Sequence, residues 1–279
     1  MRPDSTSAAK LAVLQAFRLQ FPERTVQAGK MEWRYRVLGS GTRALLMIPG
    51  GELVNDLGFE FVLAISRVCR VVYPAYPRLS SMEELADGLC AVLDAEKIEQ
   101  ASILGASFGG SVAQIFVRRY PDRTKALILS NTGVPMRRLA PAVRIFEWIL
   151  RGLPWSLTTM LLSKALITTL SPTGTAEAFW REYLTDLFSS RLTRADLVTN
   201  FRNQYDYHRR FHFRPEDLRN WPGRILIVES DTDIIGPHRR QVLRQTYPSA
   251  QVRTYHNAGH APMFTRSSEY LAIVTQFLT

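Results

Sequence analysis

Three short runs of this chain constrain its fold more than anything else in it. They are Ala44–Ile48 in "ALLMIPGG", Ala101–Ala106 in "ASILGA" and Ala126–Asn131 in "ALILSN". Each is apolar with little alternation and ends at small or turn-forming residues. A strand reads this way when both of its faces are buried, as in a parallel sheet covered by helices on both sides. The segments around Leu57–Val68, Ser81–Leu93 and Phe108–Arg119 carry apolar residues at helical spacing, and "RVVYPAY" supplies a further strand. Strand–helix alternation of this kind requires right-handed crossovers. It predicts an α/β fold with a mostly parallel central sheet flanked by helices. Ahead of it, Ser5–Gln20 has the spacing of an amphipathic helix. "RTVQAG" and "MEWRYRVLG" alternate with period two, as antiparallel edge strands do.

The alternation stops between Gly133 and Trp221. That stretch reads as four helices, Pro141–Leu150, Trp155–Leu170, Ala176–Phe188 and Arg194–Tyr207, punctuated by Pro154, Pro172 and Pro215. The sheet pattern then resumes with "GRILIVES", a helix over Pro237–Thr246, the strand "AQVRTYH" and a last helix over Pro262–Leu278. The expected division is a core domain of residues 1–133 and 222–279 with a helical cap, 134–221, inserted between the sixth and seventh strands. A chain of 279 residues suits one large domain with such an insertion.

The formal charge of +10 is carried mostly by arginine, since lysine stands only at Lys10, Lys30, Lys97, Lys125 and Lys164. The densest basic clusters, Arg137-Arg138, Arg209-Arg210 and Arg239-Arg240, do not extend into an arm. The charge therefore reads as a solvated surface, and a nucleic-acid partner is not expected. Cys69 and Cys90 lie far apart, without metal-ligand spacing, and read as small buried hydrophobes in a reducing compartment. The N-terminus lacks an apolar leader, and no charge-free run exceeds 18 residues, so no membrane-spanning helix is expected. A cytoplasmic location is expected, with no metal and no cofactor.

The chemistry centres on "ILGASFGGSVAQIF", Ile103–Phe116. Ser107 follows a buried strand and opens a helix, with Gly105 and Gly109 two residues to either side. A serine hydroxyl is a poor nucleophile unless it is held in the open beside a base. A tight strand-to-helix turn exposes it and crowds the backbone, so the flanking positions must be small. The base must be one of five histidines, His208, His212, His238, His256 and His260. His260, in "HNAGHAPMF" after the last strand, belongs to the same C-terminal edge of the sheet as Ser107. His208 and His212 fall in the helical insertion, His238 opens a helix and His256 reads as part of a strand. A zinc pair from His256 and His260 lacks a third ligand. The orienting carboxylate should come from "VESDTDIIGP", where Asp233 is favoured over Asp231 because it stands just ahead of the Pro237 helix start.

The chain order Ser107, Asp233, His260, with "LLMIPGG", "GASFGG", "ESDTDIIGP" and "NAGHAPMF", resembles the α/β-hydrolases from about Thr25 to Thr279. The stretches "YPAYPRLSSMEELADGLCAVLDAEKIEQASILGASFGGSVAQIF" and "LRQTYPSAQVRTYHNAGHAPMFTRSSEYL" look similar to maspardin, a eukaryotic member of that superfamily thought of partly as a binding protein. A histidine at 260 departs from that likeness toward catalysis. The resemblance implies an oxyanion hole from the backbone amides of Phe108 and Gly51. Pro49-Gly50 stands where relatives often carry His-Gly.

The implied function is acyl transfer. Ser107 attacks an ester-type carbonyl of an apolar small molecule, His260 moves the proton, and Asp233 holds the imidazole. Gly50, Met263, Trp148 and Trp155 are expected at the substrate, and Phe108 is expected to face it. Most apolar residues of the cap should serve packing. "RIFEWILRGLPWSLTTMLLSKAL" also mixes tryptophan, leucine and basic residues as interfacial helices do, so peripheral membrane contact through the cap is a further expectation. The competing readings are a binding protein on a hydrolase fold and another reaction of that fold, carbon–carbon bond hydrolysis or cofactor-free perhydrolysis.

Overall fold

The structure is a computed structural model that describes residues 5–170 and 176–279. Eight strands form one sheet: β1 (Arg24–Ala28), β2 (Met31–Leu38), β3 (Ala44–Ile48), β4 (Arg70–Ala75), β5 (Ala101–Ala106), β6 (Thr124–Ser130), β7 (Arg224–Ser230) and β8 (Gln251–Tyr255). Their order across the sheet is β1-β2-β4-β3-β5-β6-β7-β8. β2 runs antiparallel to both β1 and β4, and every pairing from β4 to β8 is parallel. The period-two strands are therefore the antiparallel edge, and the unbroken apolar runs are the covered centre. Leu45, Leu46, Ile103, Leu104, Leu127 and Ile128 are all fully buried.

The helices of the core are α1 (Ser5–Gln20), α2 (Phe59–Ile65), α3 (Met82–Ala95) and α4 (Phe108–Arg119). The helix of α3 starts where its cap dictates: Ser81 is extended, and its hydroxyl accepts from the Glu84 amide. After β6 come α5 (Ala140–Gly152), α6 (Trp155–Leu170), α7 (Glu177–Asp186), a π-helical turn over Leu187–Arg191, and α8 (Arg194–Arg210). The inserted helices thus lie between β6 and β7 as expected; the Pro172 break falls outside the described residues. α8 opens with a reciprocal capping box between Thr193 and Asp196. The chain returns through β7, α9 (Pro237–Thr246) and β8 to α10 (Pro262–Thr265) and α11 (Ser267–Leu278). The single terminal helix read from sequence is thus two, divided at Arg266. His256 lies just beyond β8 rather than within it. Cys69 and Cys90 are free and buried.

Polar groups fasten the insertion to the core. Gln114 on α4 donates to the Gly133 carbonyl and to the Tyr207 hydroxyl of α8, and Tyr207 donates to the same carbonyl. Asp56, fully buried, accepts from Tyr183 of α7 and pairs with Arg18 of α1 and Arg191. Arg18 also reaches Asp186 at the end of α7, so α1 ties the insertion down from outside. His208 accepts the Met136 amide on Nδ1 at 3.1 Å, which leaves Nε2 as its protonated nitrogen.

Burial, aided by the Arg239 charge, pulls the pKa of His208 down from 6.5 to about 4. The unfolded chain takes up this proton first, so folding stability falls as pH drops from 6.5 toward about 4. Chemical denaturation of wild type and His208→Gln across that range should show an acid-side loss of up to about 3 kcal/mol in wild type and a shallower one in the variant.

Candidate active site

Ser107 sits on the turn from β5 into α4 with φ 51° and ψ −119°, a left-handed backbone that a serine adopts only under constraint. The constraint is visible in its neighbours. A methyl group on Gly105 would lie 2.3 Å from the Gly109 carbonyl oxygen, and one on Gly109 would lie 2.4 Å from the Ile48 carbonyl oxygen. β5 and α4 close together so tightly that only hydrogen fits at both positions. The Ser107 amide donates to the Ser130 carbonyl at 3.0 Å, and Thr132 donates to the Ser107 carbonyl at 2.8 Å. These backbone bonds leave the hydroxyl available to His260.

Ser107 meets two residues that lie more than a hundred positions further along the sequence. His260 Nε2 lies 2.9 Å from Ser107 Oγ, and His260 Nδ1 lies 2.6 Å from Asp233 Oδ1. Asp233 follows β7, where its amide donates to the Ser230 carbonyl; His260 follows β8 and precedes α10. The Asp233 carboxylate is buried. Burial opposes its charge, but hydrogen bonds from His260, the Ile235 amide and Asn131 outweigh that and hold its pKa below the usual range. Asn131, bonded to Oδ2 at 2.7 Å, is the positioning residue that sequence reading missed. Its mark in the sequence was a turn-forming residue directly after a buried strand. Asp231, the alternative acid, is turned outward and pairs with the exposed His256 at 2.8 Å.

A cavity of about 350 Å³ opens over Ser107 and His260. Gly50, Gly51 and Met263 line it, beneath Leu162 and Leu166 of α6 and Phe201 of α8. Trp148 and Trp155 do not. Trp148 is 60% exposed, because the inward face of α5 is occupied by Glu147, fully buried among Arg144, Arg151 and Arg202. Trp155 stands behind the cavity, edge-on to the lining residue Phe188 and beneath the Arg194 guanidinium. Phe108 also turns from this cavity. Its ring packs edge-on against Tyr76, with centroids 5.5 Å apart. Its backbone amide still sits at the N-terminus of α4, beside Ser107.

Glu52 is a cavity residue that sequence reading passed over, although a charged side chain in "PGGE" was visible. Its Oε1 accepts the Gly50 amide at 2.8 Å, tightening the loop that carries Gly51. It lines the cavity beside Gly50 and Gly51. Burial pushes its pKa above 4.5, against the pull of two backbone amides; Asp56 adds to the rise and His260 opposes it. In the protonated form Glu52 places no negative charge near Ser107.

The chain matches the Alpha/beta hydrolase family over residues 32–273 and belongs to it. It is 25% identical to maspardin from Homo sapiens over 239 residues, 81% of this chain and 71% of maspardin. It is 24% identical to 2-hydroxymuconate semialdehyde hydrolase from Pseudomonas putida over 231 residues, 76% of this chain and 78% of that enzyme. Among solved structures, a hydrolase from Pseudomonas aeruginosa PA01 superposes with a TM-score of 0.79 at 18% identity, covering 92% of this chain and 98% of the other. That likeness is one of fold.

Two outcomes follow from the site's construction. Gly109→Ala should cost about 1–3 kcal/mol in denaturant unfolding, since the added methyl meets backbone carbonyls that cannot move independently of the sheet. Glu52→Gln keeps an acceptor for the Gly50 amide and removes the titration. The folded wild type holds its proton over a range where the unfolded chain has lost it. Wild-type stability should therefore fall as pH rises above 4.5, and the variant should gain on it toward pH 8 in paired melts. Equal pH profiles would contradict a raised Glu52 pKa.

Proposed function

We propose that this α/β-hydrolase is a serine hydrolase that cleaves an ester-type bond of a small molecule with an apolar acyl group. The carrying observation is the aligned pair of hydrogen bonds, Ser107 Oγ to His260 Nε2 and His260 Nδ1 to Asp233 Oδ1. In this reading His260 takes the Ser107 proton as Oγ attacks the carbonyl carbon. The Phe108 and Gly51 amides receive the oxyanion, a contribution of about 3 kcal/mol per donor. The alcohol leaves with the proton from His260, and water activated by the same imidazole releases the acid. Asp233 keeps the imidazole in the tautomer with Nδ1 protonated and stabilises the imidazolium. The Leu162, Leu166 and Phe201 side chains favour an apolar acyl chain over a charged one.

A second reading, carbon–carbon bond hydrolysis, draws on the likeness to the Pseudomonas putida enzyme. Product analysis on a dienoic ketoacid beside an ester panel separates the two. A non-catalytic binding role, drawn from the likeness to maspardin, requires no turnover on either. The cap's exposed Ile145, Trp148, Ile149 and Met160 support the further reading that it approaches a lipid surface. Among the described residues no helix is long and apolar enough to cross a membrane.

A fluorophosphonate probe should label wild type on Ser107 and leave Ser107→Ala unlabelled. Hydrolysis of p-nitrophenyl hexanoate should fall about 10⁴-fold or more in Ser107→Ala and in His260→Ala. Labelling that persists in Ser107→Ala would remove Ser107 from the reaction.

A further inference from the structure

Ser107 borders a second cavity, on the side away from the apolar one. It has a volume of about 220 Å³ and runs between the start of α4, the Thr132–Gly133 turn, α8 and the start of α9. Ser111, Gln204, Tyr207, His208 and Arg239 supply its polar surface, and none of the described residues lining it is acidic. Gln204 and Ser107 face both cavities.

Arg239 is the unexplained residue. It is the third residue of α9, and its guanidinium lies over Gly133, where Nη2 would stand 3.0 Å from a Cβ. Its Nε is buried with no hydrogen-bond partner. Asp233 contributes favourable charge, but its oxygens are already taken by His260, Ile235 and Asn131. Burial, together with the like charge of Arg138, disfavours the Arg239 cation, against partial compensation from Tyr207 and Asp233. A buried donor without an acceptor and a cation without a bound counter-charge each cost stability. Both stand beside Ser107, on the same cavity. His208 adds to the case. With Nδ1 accepting the Met136 amide, its remaining ring nitrogen is a neutral N–H donor on the same cavity.

We propose that this second cavity is an anion subsite, in which Arg239, assisted by His208, receives a carboxylate carried on the alcohol half of the substrate. The inference rests on the serine-hydrolase reading and narrows its substrate class to acyl esters of a hydroxycarboxylic acid. The apolar acyl chain occupies the larger cavity, and the ester carbon stands over Ser107. The Ser107 Oγ–carbon bond forms as the carbon–oxygen bond to the alcohol breaks. The leaving hydroxy acid takes its proton from His260 while its carboxylate stays on the guanidinium. A guanidinium holds a carboxylate through two parallel N–H donors, so it fixes orientation as well as charge.

The test compares 4-(hexanoyloxy)benzoate with phenyl hexanoate on wild type, Arg239→Gln and Arg239→Lys. Calorimetric titration with benzoate and with benzamide accompanies it. Wild type should favour the carboxylated ester in kcat/KM. That preference should drop at least tenfold in Arg239→Gln and be partly kept in Arg239→Lys, and benzoate should bind wild type but not Arg239→Gln. Loss on both esters by the same factor, or equal binding of benzoate and benzamide, overturns the subsite and makes Arg239 a structural residue. A stronger preference for the p-nitrophenyl half-ester of glutarate overturns the placement on the alcohol half. Benzoate binding that depends on Arg239 without hydrolysis of any ester would keep the subsite and overturn the serine-hydrolase reading instead.

Discussion

The left-handed backbone at Ser107 is the constraint on which the site depends. An L-residue avoids that conformation unless its surroundings leave no alternative. Here they do not. The Ser107 amide is tied to β6, its carbonyl is tied to Thr132, and α4 is pressed against β5 and β3 through positions that accept only glycine. The turn therefore cannot relax by moving the helix, and the hydroxyl is held out over the sheet edge. The same closeness aims the N-terminus of α4, and with it the Phe108 amide, at whatever approaches Ser107.

Around that fixed oxygen the electrostatics are divided. On one side lies an apolar cavity where, among the described residues, Glu52 is the one carboxyl, and burial raises its pKa. On the other lies a smaller cavity where, among the described residues, the Arg239 guanidinium is the only full charge. Between them Asp233 holds its charge because His260, Ile235 and Asn131 supply the hydrogen bonds that water would otherwise supply. Two carboxyls at one site are thus driven in opposite directions by their surroundings, one given donors and one desolvated. Asp233 is thereby favoured as the charged form beside the imidazole, and the Glu52 charge is disfavoured on the cavity wall.

The inserted helices close both cavities, held by buried apolar faces such as Phe179, Trp180, Leu184 and Leu187 and by polar bonds that fix where they sit. Asp56 gathers Tyr183, Arg18 and Arg191, so that the N-terminal helix, the core loop and α7 meet on one carboxylate. Glu147 does the same for α5 and α8 through Arg144, Arg151 and Arg202. Gln114 and Tyr207 fasten α8 to α4 directly beneath the second cavity. These bonds have direction and fixed partners, which a greasy helix face lacks, and they give the insertion a single register over the serine.

Much of this was legible from residues alone. Covered strands are uniformly apolar, so Ala44–Ile48, Ala101–Ala106 and the run from Ala126 declared a parallel sheet. A crowded turn demands small neighbours, so Gly105 and Gly109 declared the turn at Ser107. A loop after each strand fixed the edge on which Asp233 and His260 would lie. What periodicity could not show was which way the inserted helices face. Apolar spacing argues for a buried Trp148, yet a fully paired glutamate takes the inward position of α5 and leaves the tryptophan outside. Asp233 could be favoured over Asp231 only by its place before the Pro237 helix, while the direction of the loop turns Asp231 outward onto His256. Asn131, Glu52 and Arg239 were equally silent, because a polar residue takes its meaning from what the folded chain places opposite it. Local pattern thus determined the sheet, the turn and the nucleophile candidate, through sterics that act over a few residues. Tertiary packing alone decided the partners, the cavities and the charges, because those depend on groups brought together across the whole chain.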